Sequence, residues 1–83
     1  MATTQGEFYK LLDSVYRRLL PLKTPKNHDH AKAERDLVRV RDIVARADSL
    51  LEAGGIDKRD ATTPVPGLDE LAKDLRDIKA DHR

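Results

Sequence analysis

The residues of this chain whose types and spacing come nearest to metal chemistry are His28, His30 and Glu34. His30 and Glu34 stand four apart and would share a helix face, from which an imidazole nitrogen and a carboxylate oxygen can reach one ion. His28 and His30 are two apart and diverge on a helix; they converge only if the helix begins after them. No third ligand follows, and His82 is distant in sequence. The expectation is a polar helix start, with Asp29 near the positive end of the helix dipole, and neither metal nor cofactor.

Other site chemistry is sparse. Zero cysteines exclude disulfides, thiolate ligation and thiol catalysis. No G-x-S-x-G, P-loop or G-x-G-x-x-G occurs. Aspartate and glutamate are numerous but fall where helices present a solvated face. No catalytic residue is assigned, and an enzyme is not expected.

The cations carry more information. Net charge is +1, but it is sorted along the chain: −1 over residues 1–16, +5 over 17–46 and −3 over 47–83. Arg35, Arg39 and Arg46 are four and seven apart and share one face of a helix; Arg41, Lys23 and Lys26 lie nearby. Guanidiniums in a row suit bidentate contacts with carboxylates or phosphates. These six residues are the candidate partner-binding set. Against that stands self-compensation: Lys32–Asp36 and Asp42–Arg46 are i,i+4 pairs, Asp36–Arg39 is i,i+3, and Asp74, Asp77 and Asp81 of the acidic C-terminal segment are placed to neutralise the row.

Three helices must hold these residues. Thr4-Gln5-Gly6-Glu7 fits a capping box, and Phe8, Leu11, Leu12, Val15, Tyr16, Leu19 and Leu20 form an apolar stripe that Pro21 ends. Helix 1 is thus predicted over about 4–20. Helix 2, about 25–53, starts with Thr24 as N-cap and Pro25 at N1, or with Asn27 as N-cap. Its seam is a heptad, Ala33, Leu37, Val40, Val44, Ala47 and Leu51, widened by Val38, Ile43 and Leu50. Gly54-Gly55 followed by Ile56 predicts a Schellman-type stop. A linker over 54–66 precedes helix 3, about 67–82, with the stripe Leu68, Leu71, Leu75 and Ile78.

The predicted fold is all-α: one small domain over residues 1–83, a three-helix assembly around a long central helix, with a helical-hairpin homodimer as the alternative. Val44, Ala47, Leu50 and Leu51 lie beyond the reach of helix 1, so helix 3 or a second copy must cover them. Leu, Ile, Val and Phe total 20 of 83 residues, about 24% against a disorder threshold of about 20%, so the core is thin. No apolar run approaches the ~18–20 residues of a membrane span. The opening Met-Ala-Thr-Thr-Gln-Gly-Glu is no basic-then-apolar signal, and the expected location is cytoplasmic. The expected function is a non-enzymatic protein-binding module: an adaptor, assembly factor or inhibitor that occludes a partner surface. The Ala, Arg, Asp and Leu-rich usage has the look of a bacterial or bacteriophage accessory protein. The alternative is a nucleic-acid-associated protein using the basic face of helix 2. It is disfavoured because Glu34, Asp36 and Asp42 interleave with the arginines, no aromatic residue lies in that segment, and the Pro-containing connector and long helix 2 do not form a helix-turn-helix.

Overall fold

The computed structural model of the chain describes residues 3–26, 28–57 and 59–82. These form three helices, α1 (Gln5–Leu19), α2 (His30–Ala53) and α3 (Leu68–Asp81), each packed against the other two. No strand occurs among the described residues, only an isolated antiparallel bridge between Thr4 and Pro64. The all-α, three-helix fold read from the sequence is the one observed.

Thr4 caps α1. Its hydroxyl oxygen accepts the Glu7 N–H at 3.2 Å and donates to the Glu7 carboxylate at 3.1 Å, so the capping box closes through the hydroxyl. Pro21 ends α1 as predicted, and the chain tightens into a single 3₁₀ turn, Leu20–Lys23. That turn leaves Leu20 53% exposed, whereas Leu19 is buried.

The start of α2 corrects the sequence reading. Thr24 is extended ahead of Pro25, as a residue before proline prefers, and Pro25 and Lys26 lie in a turn. His30 donates its Nδ1 hydrogen to the Lys23 carbonyl at 2.7 Å, folding the connector over the first turn of α2. The helix therefore begins at His30 with Asp29 in the N-cap position, not at Pro25; the alternative cap, Asn27, lies outside the described residues. Its other end is the Schellman motif the two glycines predict. Ile56 N–H bonds Leu51 C=O at 3.0 Å and Gly55 N–H bonds Glu52 C=O at 3.1 Å, with Gly55 at φ +63°, a left-handed conformation that costs glycine little.

The linker to α3 is held by the N-terminus of α1. Gln5 is 1% exposed. Its Nε2 donates to the carbonyls of Asp57 at 3.1 Å and Asp60 at 2.8 Å. The opposite amide orientation would set Oε1 against two acceptors; in the observed one, Oε1 has no hydrogen-bond partner among the described residues. Gly6 N–H bonds Ala61 C=O at 3.2 Å and Val65 N–H bonds Thr3 C=O at 3.0 Å. Within the linker, the Asp60 carboxylate accepts the Thr63 hydroxyl, the Thr62 N–H at 3.0 Å, the Thr62 hydroxyl at 3.1 Å and the Thr63 N–H at 3.1 Å.

α3 buries its whole stripe, Leu68, Leu71, Leu75 and Ile78, together with Ala72. It meets Phe8, Leu12, Val15 and Leu19 of α1 and Val40, Ile43, Ala47 and Leu51 of α2 in one core, which Val65 of the linker completes. The seam of α2 differs from the predicted heptad. Ala33, Val40, Ala47 and Leu51 are buried, but so are Ile43 and Asp36, while Leu37, Val44 and Leu50 are half-buried and Val38 is 63% exposed. Val38 does not widen the seam, because α3 packs from the side of Asp36 and Ile43. At the end of α2 that outreaches α1, Ala47 and Leu51 are buried in the same core as Val65 and Leu68, while Val44 and Leu50 stay half-buried.

Buried leucines contribute roughly 1.5–3 kcal/mol each, against ~0.2–0.5 kcal/mol for a surface pair, so the core sets stability. Leu12→Ala is expected to cost about 2–5 kcal/mol and Val38→Ala under ~0.5 kcal/mol; urea unfolding of the two variants measures the contrast. Asp60 yields a second expectation. The Thr63 hydroxyl foremost, with the other three donors, holds its carboxyl down from 3.8 to about 2. A carboxyl depressed in the folded state stabilises it above the ordinary value, and this contribution fades as pH falls through about 2. The side-chain carbon resonance of Asp60 should titrate with a midpoint near 2, and Thr63→Ala should raise that midpoint.

Candidate functional site

The candidate metal cluster does not assemble. His28 is exposed, its Nε2 3.5 Å from Asp29. His30 spends Nδ1 on the Lys23 carbonyl and lies 3.7 Å from Glu34 through Nε2. Among the described residues, no three His, Asp or Glu side chains come together as a metal would require.

Of the six predicted partner-binding cations, five divide between two flanks of α2 and Lys26 stays on the connector. Helical spacing sets Arg35, Arg39 and Arg46 together, and all three are exposed. Arg39 lies 3.4 Å from Asp36 and Arg46 lies 3.3 Å from Asp42, as their spacing predicts. The Lys32–Asp36 pair does not form. Lys32 instead reaches the Asp81 carbonyl at 3.4 Å, and Asp36 turns inward. Among the described residues no ion pair joins the arginine row to Asp74, Asp77 or Asp81, the neutralisation that the sequence offers as the alternative to a partner. Lys26 is exposed on the connector.

Arg41 and Lys23 belong elsewhere. They flank a cleft of about 320 Å³ between the end of α1, the 3₁₀ turn and α2. Tyr16, Leu20, Leu37 and Val38 supply its apolar walls, and Glu34 joins the two cations on its rim. Leu20 and Val38 are the most exposed of the large hydrophobic residues described, and both lie in this cleft. The causes are local. The 3₁₀ turn imposed by Pro21 swings Leu20 out of the α1 stripe, and Val38 falls one position beyond the buried seam. Sequence reasoning missed the cleft because it counted both residues as core. The available signal was Val38, an apolar residue one step out of phase with the heptad.

A second missed feature lies on the opposite flank. The carboxylate of Asp36, 9% exposed, meets Nε2 of His82, 2% exposed, at 2.5 Å. The pair fastens the end of α3 to the first half of α2, and an ionised Asp36 requires His82 to donate from Nε2. Arg39 contacts the second carboxylate oxygen. Around this junction Arg18 bonds the His82 carbonyl at 3.5 Å, with Lys32 on the preceding carbonyl. Removing one partner strands a buried polar group. A double-mutant cycle on Asp36→Ala and His82→Ala should give a coupling of about 0.5–3 kcal/mol in chemical denaturation; additive losses would show that the pair does not act as a unit.

No family model, curated protein or solved structure matches this chain.

Proposed function

We propose that this chain is a non-enzymatic protein-binding module that docks its partner in the cleft between the 3₁₀ turn and α2. The observation that carries the reading is the pairing of Leu20 and Val38, exposed by 53% and 63%, in one concave surface rimmed by Lys23 and Arg41. Covering them removes apolar area from water at roughly 25 cal/mol per Å², while the cations fix orientation by charge. An apolar wall gives a phosphate backbone nothing to bind. Glu34 on the rim, and Asp42 beside Arg46, oppose a polyanion further. The Arg35, Arg39 and Arg46 flank is then a secondary electrostatic surface. No described helix is long and apolar enough to cross a membrane, and the cysteine-free chain suits a reducing, cytoplasmic setting.

Site-specific photo-cross-linking tests this reading. A benzophenone side chain at position 20 or 38 should yield protein adducts in cells, and one at exposed Asp74 on α3 should not. Equal yields from all three positions, or adducts destroyed by nuclease, would overturn the assignment of the cleft.

A further inference from the structure

Resting on that reading of the cleft, we propose that its occupant is α2 of a second copy of this chain, laid antiparallel across a two-fold axis that passes between Leu37 and Val38. The argument is the charge pattern on α2. Glu34, Val38, Arg41, Ala45, Asp48 and Glu52 are spaced four, three, four, three and four apart. This is the heptad Ala33, Leu37, Val40, Val44, Ala47 and Leu51 moved on by one residue, hence turned by about 100° around the helix. All six residues are exposed except Asp48, which is half-buried. A helix bearing two heptad stripes side by side can pack on two sides: α1 and α3 take the first, and the second is open.

Read from the N-terminal end, the second stripe runs acid, apolar, cation, small, acid, acid. Lys23 adds a cation ahead of it, because the His30–Lys23 hydrogen bond of 2.7 Å holds the 3₁₀ turn level with the first turn of α2. Leaving aside the small Ala45 and the terminal Glu52, the order of signs is cation, acid, apolar, cation, acid. Reversed end for end, that order becomes its own complement. With the two-fold axis between Leu37 and Val38, Glu34 of each copy faces the second copy's Arg41. Leu37 faces the second copy's Val38, and Lys23 lies beside the turn that carries the second copy's Asp48. Leu20 closes over the apolar centre from the 3₁₀ turn.

Other registers fail on charge. Sliding until Val38 faces the second copy's Arg41 leaves Glu34 opposite Ala45. A further slip sets Arg41 against Arg41 and Glu34 against Asp48. A parallel pair opposes every charge to its like. Opposite charges beside an apolar seam select orientation and register in paired helices, and here they select one arrangement. An isologous interface of this kind contains each contact twice, so each substitution in it counts twice.

Sedimentation equilibrium of the full chain, from low to several hundred micromolar, reads the outcome. The wild type should dimerise. Leu20→Asp with Val38→Asp should be monomeric and should match the melting temperature of wild type diluted to its monomer, because both side chains are exposed in the single copy. Glu34→Arg and Arg41→Glu should each weaken the dimer by about tenfold or more, since each turns two attractive contacts into like-charge pairs. The double variant E34R/R41E should recover the wild-type dissociation constant, because it restores both contacts with the signs exchanged. A monomeric wild type, a dimer indifferent to Val38→Asp, or a double variant no better than its parents would each overturn the second copy as occupant. A monomeric wild type whose positions 20 and 38 still cross-link to a different protein refutes the second copy and leaves the docking cleft standing. Cross-links from position 38 to the chain itself support both.

Discussion

The side-chain amide of Gln5 is the contact on which the arrangement of this protein turns. α3 carries an apolar stripe that has to be returned to the core across a linker that itself forms no helix. One buried amide in the first turn of α1 receives that linker, through two backbone carbonyls more than fifty residues away. The Gly6–Ala61 and Thr3–Val65 hydrogen bonds continue the same seam. Val65 is thereby delivered into the core and Leu68 starts α3 in the correct place. A Cβ at Gly6 would fall 2.8 Å from the Ala61 carbonyl oxygen, too close for any other side chain without movement of the linker. The first turn of α1 is therefore a receptor for a distant segment as much as the start of a helix.

The other end of α3 is closed by a different kind of contact. Asp36 and His82 meet where the core gives way to solvent, and Arg18 and Lys32 reach the last carbonyls of α3. The helix is pinned by polar contacts at both ends and by leucines between them. This explains the inward turn of Asp36: a heptad position that the pattern assigns to solvent is recruited because α3 arrives on that side of α2. The recruitment shifts the buried face of α2 toward Ile43 and leaves Val38 outside. The exposed cleft on one flank and the buried Asp36–His82 hydrogen bond on the other are two results of the side from which α3 meets α2.

What the sequence made legible follows from the range of each interaction. The Thr4 cap, the Pro21 stop, the Schellman turn and the stripe of α3 are settled by residues within a few positions of one another, and all were readable. The start of α2 was misplaced because Pro25 and Thr24 gave a strong local signal, while the deciding hydrogen bond, His30 to Lys23, depends on how the connector folds back. The Asp36–His82 pair, the Gln5 clamp and the burial of Val65 join residues 46 to 62 positions apart, and no periodicity encodes them. The six cations are all exposed. The division of five of them between two flanks was hidden because the direction from which α3 packs fixes which side of α2 is free.

The pinning of α3 from both ends also shapes how the chain must fold. The contacts between α1, the 3₁₀ turn and α2 are near in sequence, and that hairpin can collapse with little loss of chain entropy. The polar contacts that seat α3, from Gln5 to the linker and from Asp36, Lys32 and Arg18 to its last residues, close loops of 46 to 64 residues. The entropic cost of such loops grows slowly, by about 0.6 kcal/mol for each doubling of length, but it falls due before the core contacts compensate it. Until α3 docks, Phe8, Val15 and Val40 face water together. The apolar surface shared by α1 and α2 is thus complete only when the third helix lies on it, so this chain has no smaller unit that hides its own core.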